Sequence, residues 1–198
     1  MHPTRLLLVR HGRTEWNATR RVLGRTDIPL DEVGVLQASL LAGSLPAFDA
    51  CYTSPLSRAA ATAAQLRGPA PIPDPDLMEM DQGALEGLDP GRLLAEHGPL
   101  VAAWRADPSS IDLPGGEPYA ALQRRAASFL ARVAERHRGA TVCVVTHQLW
   151  ISAALCGIAG APPSEWRRYT HRNTAWTDLA WADPPRLLAH DVGPHLDE

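Results

Sequence analysis

Two histidines, two arginines and one glutamate of this chain occupy places from which their side chains could act on one phosphate group. Each follows a short apolar stretch typical of a β-strand, and together they are His11, His147, Arg10, Arg58 and Glu79. Phosphoryl transfer needs positive charge on the phosphate oxygens and a nucleophile in line with the leaving oxygen. Arginine supplies a planar guanidinium group that can hydrogen-bond two phosphate oxygens at once. The set therefore predicts a site for phosphoryl transfer.

The role of each side chain follows from its chemistry. The neutral imidazole of His11 can attack phosphorus, and neighbouring arginines favour that neutral form. A protonated His147 can donate to the phosphoryl oxygens, and a helix beginning at Gln148 can direct backbone N–H groups at the same anion. Glu79 can protonate the departing alkoxide if burial keeps its pKa high. Because ligands of α/β sheets bind beyond the carboxyl ends of the strands, we expect these groups to converge there.

The strands that would carry these residues are short apolar runs. Residues 4–9, 48–53 and 141–145 are predicted strands, and the β-branched run 141–145 is typical of a central strand. A short extended segment is expected around Ile72, and one or two further strands within residues 174–179 and 186–190. The predicted strands alternate with helical patterns. This alternation indicates an α/β fold, a three-layer sandwich with a mostly parallel central sheet flanked by helices.

Four longer helices are predicted between the strands. Asp31 is the expected N-cap of the first, whose buried face would carry apolar residues at helical spacing, namely Val35, Leu36, Leu40 and Leu41. Ser54 is the expected N-cap of the second, with Pro55 at its first position. The others are predicted at residues 119–138 and 148–157. Residues 81–117, rich in Gly, Pro and Asp, are expected to form a small cap inserted into a single domain spanning residues 1–198.

The composition excludes several classes of function. All 19 basic residues are arginine, which excludes Schiff-base, P-loop and kinase-type lysine chemistry. A net charge of −3 argues against nucleic-acid binding. No apolar run is long enough for a signal peptide or a membrane span, so no membrane partner is expected. The three cysteines lack metal-ligand spacing, and we expect them to be buried thiols in a cytoplasmic protein without a metal site.

Sequence motifs along nearly the whole chain carry a resemblance to one family. They are RHGRTEWN at 10–17, Gly24 with DIPL at 27–30, Gly34 and Gln37, SPLSR at 54–58, Glu79 with Gly83 and Glu86-Gly87, GGE at 115–117, VVTH at 144–147, and Asn173-Thr174. In this order they resemble the motifs of the histidine phosphatase (phosphoglycerate mutase-like) superfamily, which begin with R-H-G-x-T-x-x-N. A single short motif is weak support for a family, whereas several in register are strong.

The resemblance implies a phosphohistidine intermediate on His11 and neither a metal nor an organic cofactor. It assigns phosphate binding to Arg10, Asn17, Arg58 and His147, and proton donation to Glu79. Asn17 has a second interpretation as a helix cap.

Three positions depart from the family pattern. Gln148 stands where Gly is usual, Leu23 where Gln is frequent and Arg13 where Glu is frequent. Gln148 and Leu23, together with Gly24, are expected to contact the substrate, and Arg13 to add positive charge near the signature. A glutamine after the second histidine is similar to some α-ribazole phosphatases.

Three functions remain open at this point. The first is a phosphomonoesterase of the histidine acid phosphatase type that releases orthophosphate from a small metabolite, such as α-ribazole phosphate or a sugar or organic-acid phosphate. The second is a cofactor-dependent phosphoglycerate mutase, against which the short chain and compact cap argue. The third is a non-catalytic phosphate-binding module, which the intact set of five residues disfavours. The expected partner is a small phosphomonoester. A homodimer is expected only from the resemblance to the family.

Residues outside the motifs receive plainer interpretations. Trp150 is expected to form a pocket wall, Arg105 a solvated part of the cap, and His171 belongs either to the pocket or to the core. Surface or tail positions are predicted for the remaining histidines, His2, His97, His137, His190 and His195.

Overall fold

In the computed structural model, which describes residues 3–196, six strands form one sheet. The strands are β1 (Thr4–Arg10), β2 (Ala50–Thr53), β3 (Ile72–Pro73), β4 (Thr141–Thr146), β5 (Trp176–Trp181) and β6 (Arg186–Val192). Their order is β3-β2-β4-β1-β5-β6, with β3, β2, β4 and β1 parallel and β5 and β6 antiparallel to their neighbours. The predicted central position of β4 is confirmed, and both predicted C-terminal strands are present.

Helices cover both faces of this sheet. The helices are α1 (Glu15–Ala18), α2 (Glu32–Ser44), α3 (Ser57–Ala64), α4 (Pro90–Ala106), α5 (Tyr119–Arg136) and α6 (Gln148–Ile158). Alternate residues of β1 enter two separate cores: Leu6 and Leu8 lie in the cluster with α5 and α6, whereas Leu7 and Val9 pack with α2 and α3. Period-two side-chain alternation in a strand buried on both faces produces this division. The predicted three-layer α/β fold is confirmed.

The buried face of α2 differs from the prediction. Of the four residues predicted there, only Leu41 is buried; Val35, Leu36 and Leu40 are 47%, 58% and 44% exposed. The helix buries Gly34 and Ala38 beside Leu41. The loop after β1 causes this rotation, because a Cβ atom at Gly34 would lie 2.0 Å from the carbonyl oxygen of Arg13. A backbone approach this close requires the smallest residues of α2 to face the loop.

The predicted N-cap of α3 is also wrong. The helix begins at Ser57, and the Ser54 hydroxyl accepts only the N–H of Leu56, at 3.3 Å. The start of α3 is held by Asp27, whose Oδ1 accepts the backbone N–H of Ser57 at 2.8 Å and its hydroxyl at 2.7 Å. A distant carboxylate therefore supplies the capping interaction that the local sequence suggested for Ser54.

The segment predicted as a cap, residues 81–117, contains a short 3₁₀ turn and α4. Backbone dihedral angles at His97 are not helical, and Pro99 follows within the helix, so α4 is kinked there. Leu93, Trp104 and Leu113 are buried and join the cluster that contains α5 and α6.

Other predictions concern isolated residues. All three cysteines are buried free thiols, as predicted. The surface or tail position predicted for His195 is wrong, because it is buried and its Nε2 lies 2.9 Å from the Thr174 hydroxyl. His137 and His190 are partly buried and lie 3.0 Å from the Tyr52 and Thr177 hydroxyls. His2 lies outside the described residues.

None of the helices within residues 3–196 has both the length and the apolar character needed to cross a membrane.

Candidate active site

The two motif histidines meet because β1 and β4 are adjacent parallel strands that end together. Arg10 pairs with Thr146 in the sheet register, and the backbone N–H of His11 donates to the Thr146 carbonyl at 3.0 Å. The next residue of each chain segment is a histidine. The imidazole rings of His11 and His147 lie 5.1 Å apart, and both residues are buried. The sheet register thus places both rings at one carboxyl edge.

A hydrogen bond sets the tautomer of His11. Its Nδ1 lies 2.7 Å from the carbonyl oxygen of Gly12. Because a carbonyl oxygen only accepts, Nδ1 carries the proton, and the lone pair is on Nε2. Burial, reinforced by Arg58 and Arg10, holds the pKa of His11 well below its ordinary value. His11 therefore presents a neutral nucleophilic nitrogen over the physiological pH range.

Two arginines flank this imidazole: Arg58 is fully buried, and Arg10 is partly buried. Arg10 donates from Nη1 to the His171 carbonyl at 2.6 Å, and Arg58 donates from Nη1 to Thr26 at 3.0 Å and from Nη2 to Gly24 at 2.6 Å. Burial lowers the pKa of Arg10 to about 10, which is still well above neutral pH, so Arg10 stays cationic. Burial also lowers the pKa of Arg58.

Several buried nitrogen atoms of the site have no partner. Within residues 3–196, the Nε atoms of Arg10 and Arg58 and both ring nitrogens of His147 make no hydrogen bond. Buried polar groups in folded proteins are almost always paired, and leaving one unpaired is costly. An anion bound between these groups would accept from both guanidinium groups and from the imidazole. The arrangement has the charge and donors that a phosphoryl group requires.

Donation by both ring nitrogens of His147 depends on protonation of its imidazole, and the free site favours the neutral form. Burial, with Arg58 and His11 nearby, lowers the pKa of His147 well below its ordinary value. The imidazole is neutral, with one donor nitrogen. An incoming phosphate dianion would offset the positive field of the arginines and raise that pKa again.

Glu79 lies against the start of α6. Its Oε1 accepts the N–H groups of Met80 at 2.8 Å and Trp150 at 3.0 Å, and its Oε2 accepts that of Leu149 at 3.0 Å. The expectation that α6 directs its N–H groups at phosphate is therefore wrong for Leu149 and Trp150. Burial raises the pKa of Glu79 above its ordinary value, although these N–H groups and Arg58 favour the carboxylate. A raised pKa suits a proton donor.

Asn17 caps the start of α1, as one of its two interpretations predicts, and its role in phosphate binding stays a prediction. Its Oδ1 accepts the N–H of Thr14 at 3.2 Å in a capping box at the start of α1, and it also accepts from Asn173 Nδ2 at 3.3 Å. Asn173 Nδ2 donates in addition to the His11 carbonyl, at 2.9 Å. Asn17 lines the same cavity as Arg10, so the helix cap holds this amide at the edge of the site.

The residues that depart from the family pattern lie in different places. Leu23 and Gln148 line the cavity, whereas the carbonyl of Gly24 faces Arg58. Arg13 forms an ion pair with Asp31, 2.8 Å from Nε to Oδ2, which compensates the charge expected near the signature.

Gln148 also connects two parts of the site. Its Oε1 accepts the N–H of His171 at 2.8 Å, and its Nε2 donates to Ser152 at 3.0 Å. The carbonyl of His171 in turn accepts from Arg10. His171, for which two positions were considered, is buried, and its Nε2 lies 2.6 Å from the Thr177 hydroxyl.

Sequence reasoning gave no role to Glu86, which organises the loop that holds Arg58. Its carboxylate accepts the N–H groups of Arg25 and Thr26, each at 2.7 Å, the Thr26 hydroxyl, and the N–H of Gln82 at 3.1 Å. A Cβ atom at Gly24 would lie 2.0 Å from Glu86 Oε1 and 2.9 Å from the backbone nitrogen of Gln82, so a side chain there would displace the Glu86 carboxylate. The motif that contains Glu86 and Gly87 was the signal available in the sequence.

A cavity of about 270 Å³ opens beside Arg10 and Glu79. Residues of α4, including Trp104 and Arg105, complete its lining. Arg105 is exposed on the cap, as predicted, and lies at the edge of the cavity. Trp150 is fully buried in the core, and its indole N–H donates to the Asp76 carbonyl at 2.7 Å. The predicted pocket wall is therefore formed by Leu149 and the cap instead.

The sequence and the fold of this chain are similar to those of known proteins. A family model described as "Histidine phosphatase superfamily (branch 1)" matches residues 6–189. Phosphoserine phosphatase 1 of Hydrogenobacter thermophilus is 32% identical, over 98% of this chain and 95% of that protein.

Two solved structures are also similar. A mutant phosphoserine phosphatase from Entamoeba histolytica, in complex with phosphoserine, superimposes with a TM-score of 0.85 at 27% identity and covers 98% of this chain and 99% of that chain. A protein from Escherichia coli, described as a putative alpha-ribazole-5'-P phosphatase, superimposes with a TM-score of 0.82 at 28% identity, covering 96% and 97%.

Proposed function

Because the chain belongs to the histidine phosphatase superfamily and is a phosphoric monoester hydrolase, we propose that it is a metal-independent phosphomonoesterase acting through a phosphohistidine at His11. The observation that supports the proposal most strongly is the set of buried nitrogen atoms without a partner among the described residues, on Arg10, Arg58 and His147, beside a neutral His11. These donors suit the equatorial oxygens of a phosphoryl group, and Nε2 of His11 suits in-line attack.

The first step transfers the phosphoryl group to the enzyme. The lone pair of His11 Nε2 forms a bond to phosphorus while the bond from phosphorus to the alcohol oxygen breaks. Glu79 gives its proton to that oxygen, so a neutral alcohol leaves and Glu79 becomes a carboxylate. The guanidinium groups of Arg10 and Arg58 stabilise the charge on the transferring group.

The second step returns the enzyme to its starting state. Water attacks phosphorus on the side vacated by the alcohol, and the Glu79 carboxylate accepts a proton from that water. The bond between phosphorus and His11 Nε2 breaks, and orthophosphate is released. One carboxyl group thus acts as acid in the first step and as base in the second, which requires a pKa near the working pH.

The substrate we propose is a small phosphorylated metabolite. The relatives bear names referring to phosphoserine and alpha-ribazole phosphate, and the similar Entamoeba histolytica structure contains phosphoserine. Sugar, organic-acid and α-ribazole phosphates are therefore the classes to assay first.

Substitution of the nucleophile tests the proposal. The variant His11→Ala should fold and lose release of orthophosphate from every phosphomonoester, because it removes the nitrogen atom that attacks phosphorus. The matched control is His97→Ala, since His97 lies on the cap helix and does not line the cavity. Activity retained by His11→Ala would contradict the assignment.

The mutase alternative differs in the fate of the phosphoryl group. Incubation with 3-phosphoglycerate and a trace of the bisphosphorylated acid separates the two functions. The phosphatase proposal predicts orthophosphate and glycerate, whereas accumulation of the 2-phosphoglycerate isomer without phosphate release would show a mutase.

A further inference from the structure

The cavity beside Arg10 and Glu79 has an apolar character that the phosphoryl chemistry does not require. The hydrophobic part of its lining comes mainly from the loop after β1, the cap and α6, and includes Leu23, Leu93, Val101, Trp104, Leu149 and Trp166. A group attached to the phosphate oxygen would lie in this cavity, because Arg10, Glu79 and these side chains line the same space. The part of the substrate that leaves as the alcohol thus meets mostly hydrocarbon and indole surface.

Two tryptophans give this wall a defined shape. The rings of Trp104 and Trp166 lie 5.5 Å apart and are tilted by 59°. Trp166 is fixed by a hydrogen bond from its indole N–H to the Arg105 carbonyl at 3.3 Å, and the Arg167 guanidinium lies 4.6 Å from its ring centre. Rigid aromatic surfaces of this kind favour planar apolar partners, which gain stacking or edge contacts in addition to burial.

One donor in this wall lacks an acceptor. Trp104 is 7% exposed, and its indole N–H makes no hydrogen bond within residues 3–196. Buried indole N–H groups usually find a partner. A ring nitrogen or oxygen on the substrate would provide one.

The volume limits the size of the occupant. A cavity of about 270 Å³ lies just below the range of roughly 300–1,000 Å³ typical of sites for drug-sized ligands. It suits one planar group of one or two rings. A compact polar alcohol such as serine or glycerate would leave the apolar part of the lining unfilled.

We propose, building on the phosphomonoesterase function above, that the preferred substrates are phosphomonoesters whose alcohol carries a planar apolar ring. Exposed arginines at the edge of the cavity, Arg20, Arg21 and Arg105, attract the anionic ester but do not distinguish one alcohol from another.

A pair of substrates with similar leaving groups tests this. The value of kcat/KM for release of orthophosphate is measured for 2-phenylethyl phosphate and ethyl phosphate, both primary alkyl esters, and for O-phosphoserine. We expect 2-phenylethyl phosphate to exceed the other two by about 10- to 100-fold, since burial of the ring contributes to transition-state binding. Equal values, or a preference for O-phosphoserine, would overturn the proposed substrate class while leaving the phosphatase function standing. Failure to hydrolyse any of the three would overturn both.

Two matched variants on α4 test whether the apolar wall causes the preference for the phenyl-bearing ester. Val101→Asn places an amide on the apolar wall and should lower the ratio of the 2-phenylethyl to the ethyl value by about tenfold. Leu94→Asn is the control, because Leu94 lies on the same helix, is 73% exposed and does not line the cavity.

A binding measurement on His11→Ala gives a readout independent of turnover. Tryptophan fluorescence is followed during titration with 2-phenylethylphosphonate and ethylphosphonate, and tighter binding of the phenyl compound is expected. An unchanged ratio in Val101→Asn together with equal phosphonate affinities would refute the assignment of this wall as the ring site.

Discussion

Replacement of Glu79 by glutamine distinguishes the role of Glu79 as a proton donor from its role as a hydrogen-bond acceptor for backbone N–H groups. The glutamine side chain keeps one oxygen, which can still accept the N–H groups of Met80 and Trp150. Its NH₂ group then faces the N–H of Leu149, which loses its acceptor at 3.0 Å. One buried donor without a partner costs about 1–3 kcal/mol of unfolding free energy. For a chain of this length that corresponds to a decrease in Tm of roughly 2–12 °C.

The catalytic loss should be larger and should depend on the leaving group. A positioned general acid contributes about 10²–10⁴-fold to the rate when the departing alkoxide is basic. Glu79→Gln should therefore lower kcat/KM for 2-phenylethyl phosphate by that factor, but that for p-nitrophenyl phosphate by less than about tenfold, since nitrophenolate leaves without a proton.

The assay measures initial rates of phosphate release for both esters at a temperature well below the Tm of the variant. Glu135→Gln, at an exposed position of α5, is the matched control and should change neither rate. An equal loss for the two esters would refute proton donation by Glu79 and indicate that its hydrogen bonds to α6 only maintain the shape of the site.

Three further predictions concern pH, positioning and packing. The wild-type kcat/KM for 2-phenylethyl phosphate should fall as pH rises through the raised pKa of Glu79, because the ionised form has no proton to donate. If Glu79→Gln showed the same fall of kcat/KM with rising pH, proton donation by Glu79 would be contradicted. Glu86→Ala should lower kcat/KM by about 10- to 100-fold through a misplaced Arg58, with partial recovery in Glu86→Gln, which keeps an acceptor; unchanged inhibition by inorganic phosphate would argue against this role. Gly34→Ala should lower the unfolding free energy in denaturant titrations by roughly 1–3 kcal/mol, whereas Gly157→Ala, with open space around it, should not; equal stabilities would show that the loop after β1 can move aside.

The parts of the site that the sequence could predict are those set by strand ends. Arg10, His11 and His147 follow two apolar runs directly, and parallel strands in register bring such positions together without further information. Arg58 lies in the first turn of α3, the helix that follows β2, so its position follows from the end of that strand. These placements depend on local patterns and on the general geometry of α/β sheets.

The parts that the sequence could not predict depend on contacts between distant segments. The orientation of α2 is set by the approach of the loop after β1 to Gly34, and no apolar periodicity records that approach. Whether the N–H groups of α6 bind phosphate or the carboxylate of Glu79 depends on a contact across 70 residues of chain. Trp104 lines the cavity from α4, which is kinked near His97 and Pro99, and the sequence does not specify the direction of that kink.

Direct detection of the phosphorylated enzyme tests the central claim most closely. Wild-type protein and His11→Ala are mixed with a ³²P-labelled phosphomonoester, quenched in alkali within milliseconds and separated by gel electrophoresis. Phosphohistidine survives alkali and is lost in acid, so we expect an alkali-stable, acid-labile label on the wild type that maps to His11 and is missing from His11→Ala. Label of the same stability on His11→Ala, or turnover by the wild type with no labelled protein at any quench time, would contradict it.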